Sequence, residues 1–107
     1  MRDKPLRPLA AALTLALTAA PGMAQDAQAL NVRALAATCA SCHGTQGQAV
    51  SHAEVPGLAG MPALYMVEQL KAFKAGTRPA TVMHQLAKGF SDAQIESMAA
   101  YFAAQKK

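Results

Sequence analysis

Cys39-Ala40-Ser41-Cys42-His43 contains the only two cysteines of the 107-residue chain. The spacing C-x-x-C-H is the attachment signal for haem c. Each thiol adds to a vinyl group on one edge of the porphyrin, and the adjacent imidazole then reaches the iron from one side. One helical turn separates Cys39 from Cys42, so a helix end brings the three groups together. Other uses of paired cysteines fit less well. A thioredoxin-like redox pair needs a preceding strand and a βαβ frame, which the sequence does not offer. A structural zinc site needs four ligands, and Cys39 and Cys42 with one of His43, His52 or His84 leave it incomplete. A disulfide across two intervening residues is strained and closes too short a loop to stiffen a fold.

Working outward from the motif, alanine richness and apolar spacing favour helix. Leu30, Ala34 and Ala37 share one helical face, which predicts a first helix over 30–38 running directly into Cys39. Gly44, Gly47, Gly57, Gly60 and Pro56 make the stretch 44–60 a loop wrapped over something. Pro62 suits the first position of a second helix and Gly76 the position just past its end. Met66, Leu70 and Phe73 give that helix an apolar stripe, with Glu68, Lys71 and Lys74 elsewhere. Pro79 enforces an extended connection. A short helical turn around Val82 to Lys88 ends at Gly89. Ser91 with Gln94 forms a capping-box start for a last helix, whose buried face is Ile95, Met98 and Phe102, flanked by Tyr101. No segment alternates long enough to argue for a strand. The expected architecture is all-α: three main helices plus a short helical turn around one covalently bound haem, which fills a core that a domain this small would otherwise lack.

The first 24 residues read as a signal peptide and residues 25–107 as the domain. Arg2, Lys4 and Arg7 form a positive start, Leu9 to Ala20 an apolar run, and Gly22-Met23-Ala24 a cleavage site. The run is short of the roughly 20 residues that span a bilayer, so the expectation is export to the periplasm with no stable membrane insertion after cleavage. Without residues 1–24, 83 residues remain; Lys and Arg fall from 10 to 7 and Asp and Glu from 6 to 5, so the net charge falls from +4 to +2. That balance, without a dense basic stripe or many aromatics, argues against nucleic acid. Lys71, Lys74, Arg78 and Lys88 read first as solvated helix faces and second as a docking patch for an acidic partner.

An electron-carrying haem iron takes a sixth ligand, and a methionine thioether raises the reduction potential relative to a second histidine. Met66 and Met98 lie on apolar stripes and read as core. Met61, beside Pro62, remains possible. Met83 lies after Pro79, far enough from His43 to reach the opposite haem face, and His84 is its runner-up. His52 and His84 read by default as solvent-exposed loop residues.

These residues resemble a class I cytochrome c domain. The run Pro56-Gly57-Leu58-Ala59-Gly60, Tyr65, then Glu68 through Met83, the closing Ala87-Lys88-Gly89-Phe90-Ser91-Asp92 and the helix end Ala99-Ala100-Tyr101-Phe102-Ala103 are similar to the cytochrome subunit of flavocytochrome c sulfide dehydrogenase. The resemblance covers essentially the whole of residues 25–107. It implies Met83 as the sixth ligand and His43 as the proximal one. It implies that the Pro56 backbone carbonyl accepts a hydrogen bond from the proximal imidazole and so orients it. It also implies that the last helix packs across the first, with Tyr101 and Phe102 in or near that contact. The implied protein is a periplasmic electron-transfer cytochrome whose partner is an FAD-containing, sulfide-oxidising flavoprotein, the cytochrome itself being a non-catalytic subunit. Members of that family often carry two haem domains, whereas this chain has a single C-x-x-C-H. A free soluble shuttle between periplasmic redox proteins is the alternative, and a haem protein with an open sixth site that binds a small ligand is a further one.

Overall fold

The computed structural model describes residues 21–107, so residues 1–20 of the expected signal peptide lie outside the described residues. Five α-helices follow one another among the described residues: α1 (Pro21–Ala37), α2 (Ala40–His43), α3 (Ala63–Ala75), α4 (Met83–Ala87) and α5 (Asp92–Ala103), with a 3-10 turn at Thr45–Gly47 between α2 and α3. No strand occurs among them. The all-α architecture of three longer helices and a short one is therefore the observed one, and the motif adds its own single turn, α2.

The core is built on α5. Ile95, Met98, Ala99 and Phe102 recur at one helical face and are all buried, the i, i+3, i+4, i+7 pattern of an amphipathic helix. Ala36 of α1 and Met66 of α3 complete the buried cluster, with Leu35, Val67 and Leu70 packed against it. Both α1 and α3 pack on α5. Buried alanines at Ala36 and Ala99 leave room for helix backbones to approach closely, and the large side chains of Met98 and Phe102 fill the space beside them.

The start of α5 is fixed by local chemistry. Ser91 Oγ accepts from Gln94 N at 3.2 Å while Ser91 N donates to Gln94 Oε1 at 2.8 Å, the reciprocal capping box expected from the two residue types. The end of α3 is equally local: Gly76 sits at φ 76° and closes the helix, with Thr77 N and Arg78 N both donating to Ala72 O.

Two details differ from expectation. Pro62 is the N-cap of α3 rather than its first helical residue, with ψ 129° and its carbonyl accepting from Met66 N at 3.1 Å. The buried face of α1 is not that of Leu30, Ala34 and Ala37, all of which are exposed. It is the opposite face, where Ala36 is buried and Val32, Leu35 and Cys39 are half-buried. The reason is compositional: alanine occurs all round this helix, so its positions carry no facial information, and the choice of face falls to what α5 presents. Among the described residues α1 already runs from Pro21, well before Leu30.

The loop between the 3-10 turn and α3 is tied to α5. Gly47 is buried at φ 77°, and a β-carbon there would lie 2.9 Å from Phe102 Cδ1, from Leu58 Cβ and from Ala59 N. Its carbonyl accepts from Leu58 N at 2.8 Å and Ala59 N at 3.1 Å. Gly60 N donates to Phe102 O at 2.9 Å, and Gln48 Nε2 donates to Lys106 O at 3.0 Å. The chain thus doubles back over the end of α5, and this return sets where Pro56 lies.

Candidate functional site

α2 is one turn long and carries the whole motif. Cys39 is its N-cap, and His43 N donates to Cys39 O at 3.0 Å, closing the turn that stacks Cys39 and Cys42. Both thiols are free; Cys39 is half-buried and Cys42 exposed. Burial pushes the Cys39 thiol above its ordinary pKa, and the hydroxyl of Thr38, 3.9 Å from its sulfur, partly offsets that. Thr38 is itself oriented by donating to Leu35 O at 2.7 Å.

His43 closes α2, and its ring is held by the returning loop: Nδ1 donates to the Pro56 carbonyl at 2.7 Å. A carbonyl only accepts, so this bond fixes the tautomer with Nδ1 protonated and leaves Nε2 with a free lone pair, the form in which an imidazole ligates a metal. Sequence distance hides this pairing, which joins residues 13 apart. Two thiols one turn apart and an imidazole whose Nδ1 is engaged by the Pro56 carbonyl form a donor set suited to haem c. Val50 and Val55 of the loop, Leu64 of α3, and Val82 and Leu86 at α4 are among the exposed apolar side chains, on the segments that follow the motif.

The other candidates come from elsewhere in the chain. Met83 is the half-buried first residue of α4, a helix that packs against α3. Met66 and Met98 are core, as their stripes predict, and Met61 also packs against the core cluster. His52 is exposed, at φ 65°. His84 is not an exposed loop residue: it lies within α4, is half-buried, and its Nδ1 is buried without a hydrogen-bond partner among the described residues.

Lys71, Lys74, Arg78 and Lys88 lie on the surface, as solvated helix faces, but the first three are engaged with neighbours. Lys71 Nζ lies 3.1 Å from Glu96 Oε1 and 3.9 Å from Asp92 Oδ2, and Lys74 Nζ lies 3.0 Å from Asp92 Oδ1. Lys74 also donates to Phe90 O at 2.7 Å. Two lysines facing two carboxylates form a neutral group rather than a docking patch. Arg78 is occupied too, donating to Gln69 Oε1 at 2.6 Å with its guanidinium 4.6 Å above the centre of the Phe73 ring. These partners sit on α5 and on the preceding turns of α3, where charge composition alone does not place them.

A family model described as cytochrome c matches residues 29–106, which takes in the motif, the returning loop and α3 to α5. The chain belongs to the cytochrome c family. It is 42% identical over 67 residues to the thiosulfate dehydrogenase electron acceptor of Thiomonas intermedia, covering 63% of this chain and 31% of that protein. It is 40% identical over 68 residues to the cytochrome subunit of sulfide dehydrogenase of Chlorobaculum tepidum, covering 64% and 60%. Among solved structures it is similar to cytochrome c4 of Acidithiobacillus ferrooxidans, at 41% identity and a TM-score of 0.58, covering 62% of this chain and 37% of that one. The chain spans less than two thirds of the length of each of these relatives. Family membership carries covalently bound haem c with it. The fold is that of class I, as the sequence predicts, with α5 packed across α1, Phe102 buried and Tyr101 set edge-on to it at 5.3 Å between ring centres. No helix among the described residues is long and apolar enough to cross a membrane.

Proposed function

We propose that this cytochrome c is a periplasmic one-haem electron carrier in which Cys39 and Cys42 hold the haem covalently, His43 Nε2 and Met83 are the axial ligands, and the Pro56 carbonyl orients His43. The observation that carries this reading is the 2.7 Å bond from His43 Nδ1 to Pro56 O, which leaves Nε2 as the available ring nitrogen of a residue on the same single turn as the two free thiols. Met83 is supported by what the other methionines after Cys42 do, since Met61, Met66 and Met98 are all engaged with the core. When bound, haem c supplies a one-electron iron couple, and methionine ligation poises it higher than a second histidine does.

His43 and Met83 would hold the iron from the protein and leave no position for a substrate, so the chain would act by exchanging electrons with another protein. The partner we infer is the FAD-containing subunit of a sulfide dehydrogenase, on the likeness of residues 56–103 to that cytochrome subunit. Export rests on residues 1–24, with their basic start, apolar run and small residues before Gln25. The likeness to a thiosulfate dehydrogenase electron acceptor favours a second reading, a soluble shuttle serving a different sulfur-oxidising enzyme.

The first test is a reduced-minus-oxidised spectrum with a denatured pyridine-haemochrome assay, on protein produced with residues 1–24 in a host that attaches haem. The expected result is one covalent haem per chain and a methionine-type far-red band in the oxidised form, lost in Met83→Ala. Absence of covalent haem overturns the assignment of Cys39 and Cys42, and a spectrum unchanged by Met83→Ala overturns that of Met83. Co-elution with the flavoprotein subunit and reduction by sulfide through it support the subunit reading; separate peaks with retained electron transfer support the shuttle.

A further inference from the structure

We propose that Lys74 is a positioning residue for the segment that carries Met83, a role that rests on the axial assignment above and goes beyond it. The segment from Gly76 to Ser91 leaves α3 and returns to α5, and its middle is bonded only to itself. Gln85 N and Leu86 N donate to Val82 O, Gly89 N donates to Leu86 O, and Phe90 N donates to Ala87 O. α4 packs on α3 as closely as α3 packs on α5 and buries Ala87, while the hydrogen bonds that tie the segment to the rest of the molecule come at its two ends.

Both ends are pinned to the last two turns of α3. At the entry, Thr77 N and Arg78 N donate to Ala72 O, and Arg78 reaches back to Gln69 and lies over Phe73. At the exit a single ammonium does the work: Lys74 Nζ donates to Phe90 O at 2.7 Å and to Asp92 Oδ1 at 3.0 Å. Its anchor is rigid, because Asp92 is the first residue of α5 and the capping box of Ser91 and Gln94 fixes that turn. Lys74 is also the less exposed of the two paired lysines, with 32% side-chain exposure against 40% for Lys71. Closing a segment at both ends on one helix restricts how far its middle can move. A thioether is a weak ligand that stays on iron only while it is held there, so the retention of Met83 depends on this closure.

Lys71 provides the control. It lies on the same helix, carries the same charge and pairs with Glu96 and Asp92, yet it makes no bond to the segment carrying Met83. The experiment compares oxidised wild-type, Lys74→Met and Lys71→Met holoproteins, titrated with imidazole while the methionine-type far-red band is followed. Loss of a charged hydrogen bond to a part-buried carbonyl predicts that Lys74→Met takes imidazole with roughly tenfold higher apparent affinity. Lys71→Met stays within about twofold, the size of effect expected for an exposed ion pair alone. Should Lys74→Met fail to accumulate, Asp92→Asn removes half of the exit pin and is expected to raise imidazole affinity by about threefold on the same grounds.

An unchanged affinity in Lys74→Met, or in Asp92→Asn where that variant stands in, overturns the proposal. So does an equal rise in Lys71→Met, which would reflect general charge or stability. A wild-type spectrum without the methionine band overturns the Met83 assignment and this role together. A wild-type band that is equally resistant to imidazole in Lys74→Met overturns the role of Lys74 alone.

Discussion

Gly47 and Gly76 have nearly the same backbone angle, φ 77° and 76°, in opposite surroundings. An alanine at Gly76 meets nothing within 4 Å, whereas at Gly47 its β-carbon would lie 2.9 Å from Ala59 N, from Leu58 Cβ and from Phe102 Cδ1. The left-handed angle costs any residue with a β-carbon about 1 kcal/mol, and both variants incur it. Only Gly47→Ala adds the overpacking of a buried site, about 1–3 kcal/mol. Its close neighbours include a backbone nitrogen and a β-carbon, which cannot swing aside. The expected destabilisation is therefore about 1 kcal/mol for Gly76→Ala and about 2–4 kcal/mol for Gly47→Ala. For a domain of this size that difference is about 5–20 °C in melting temperature. Guanidinium unfolding of the two holoproteins, followed by far-UV circular dichroism, measures it. Equal midpoint shifts would refute the steric account of Gly47 and leave only its backbone angle.

Two further effects follow from the start of α5. Ser91→Ala removes the acceptor for Gln94 N and is expected to cost about 1 kcal/mol, with Ser91→Asp recovering most of it in the same unfolding assay. Lys74, by hydrogen bond and charge, holds the Asp92 carboxyl below the ordinary aspartate range. In acid the unfolded chain takes up this proton before the folded one does, so stability rises with pH across that range. The contribution of Asp92 is therefore full above about pH 4 and fades as pH falls toward the lowered folded value. The stability gap between wild type and Asp92→Asn should narrow over that window; a gap that stays constant would mean that the ion pair contributes nothing.

Local chemistry was legible and distant pairing was not. Ser91 and Gln94 announce α5 because a capping box is complete within four residues, and Ile95, Met98 and Phe102 mark its buried face because large side chains leave no ambiguity of phase. Leu30, Ala34 and Ala37 mark α1 as a helix without marking its buried face, because alanines occur all round it and the position of Ala36 is decided by α5. At the site, Cys39, Cys42 and His43 declare their chemistry by adjacency alone. The bond from His43 to Pro56 spans a loop whose path is set by Gly47 against Phe102, so only family likeness pointed to it. Lys74 read as a solvent-facing or docking charge, since its partners at Phe90 and Asp92 lie 16 and 18 residues away and meet it only after α3 and α5 have packed.

The acceptor that orients His43 is a main-chain carbonyl, which every one of the twenty amino acids would provide at position 56. Mutational scanning of this cytochrome should therefore find position 56 more permissive than its contact with the imidazole suggests. The intolerance should fall instead on positions that shape the loop: Gly47, and Gly57, where a β-carbon would come within 3.1 Å of the Gly47 carbonyl. A search for tuning residues guided by side-chain contacts to the imidazole would pass over both glycines.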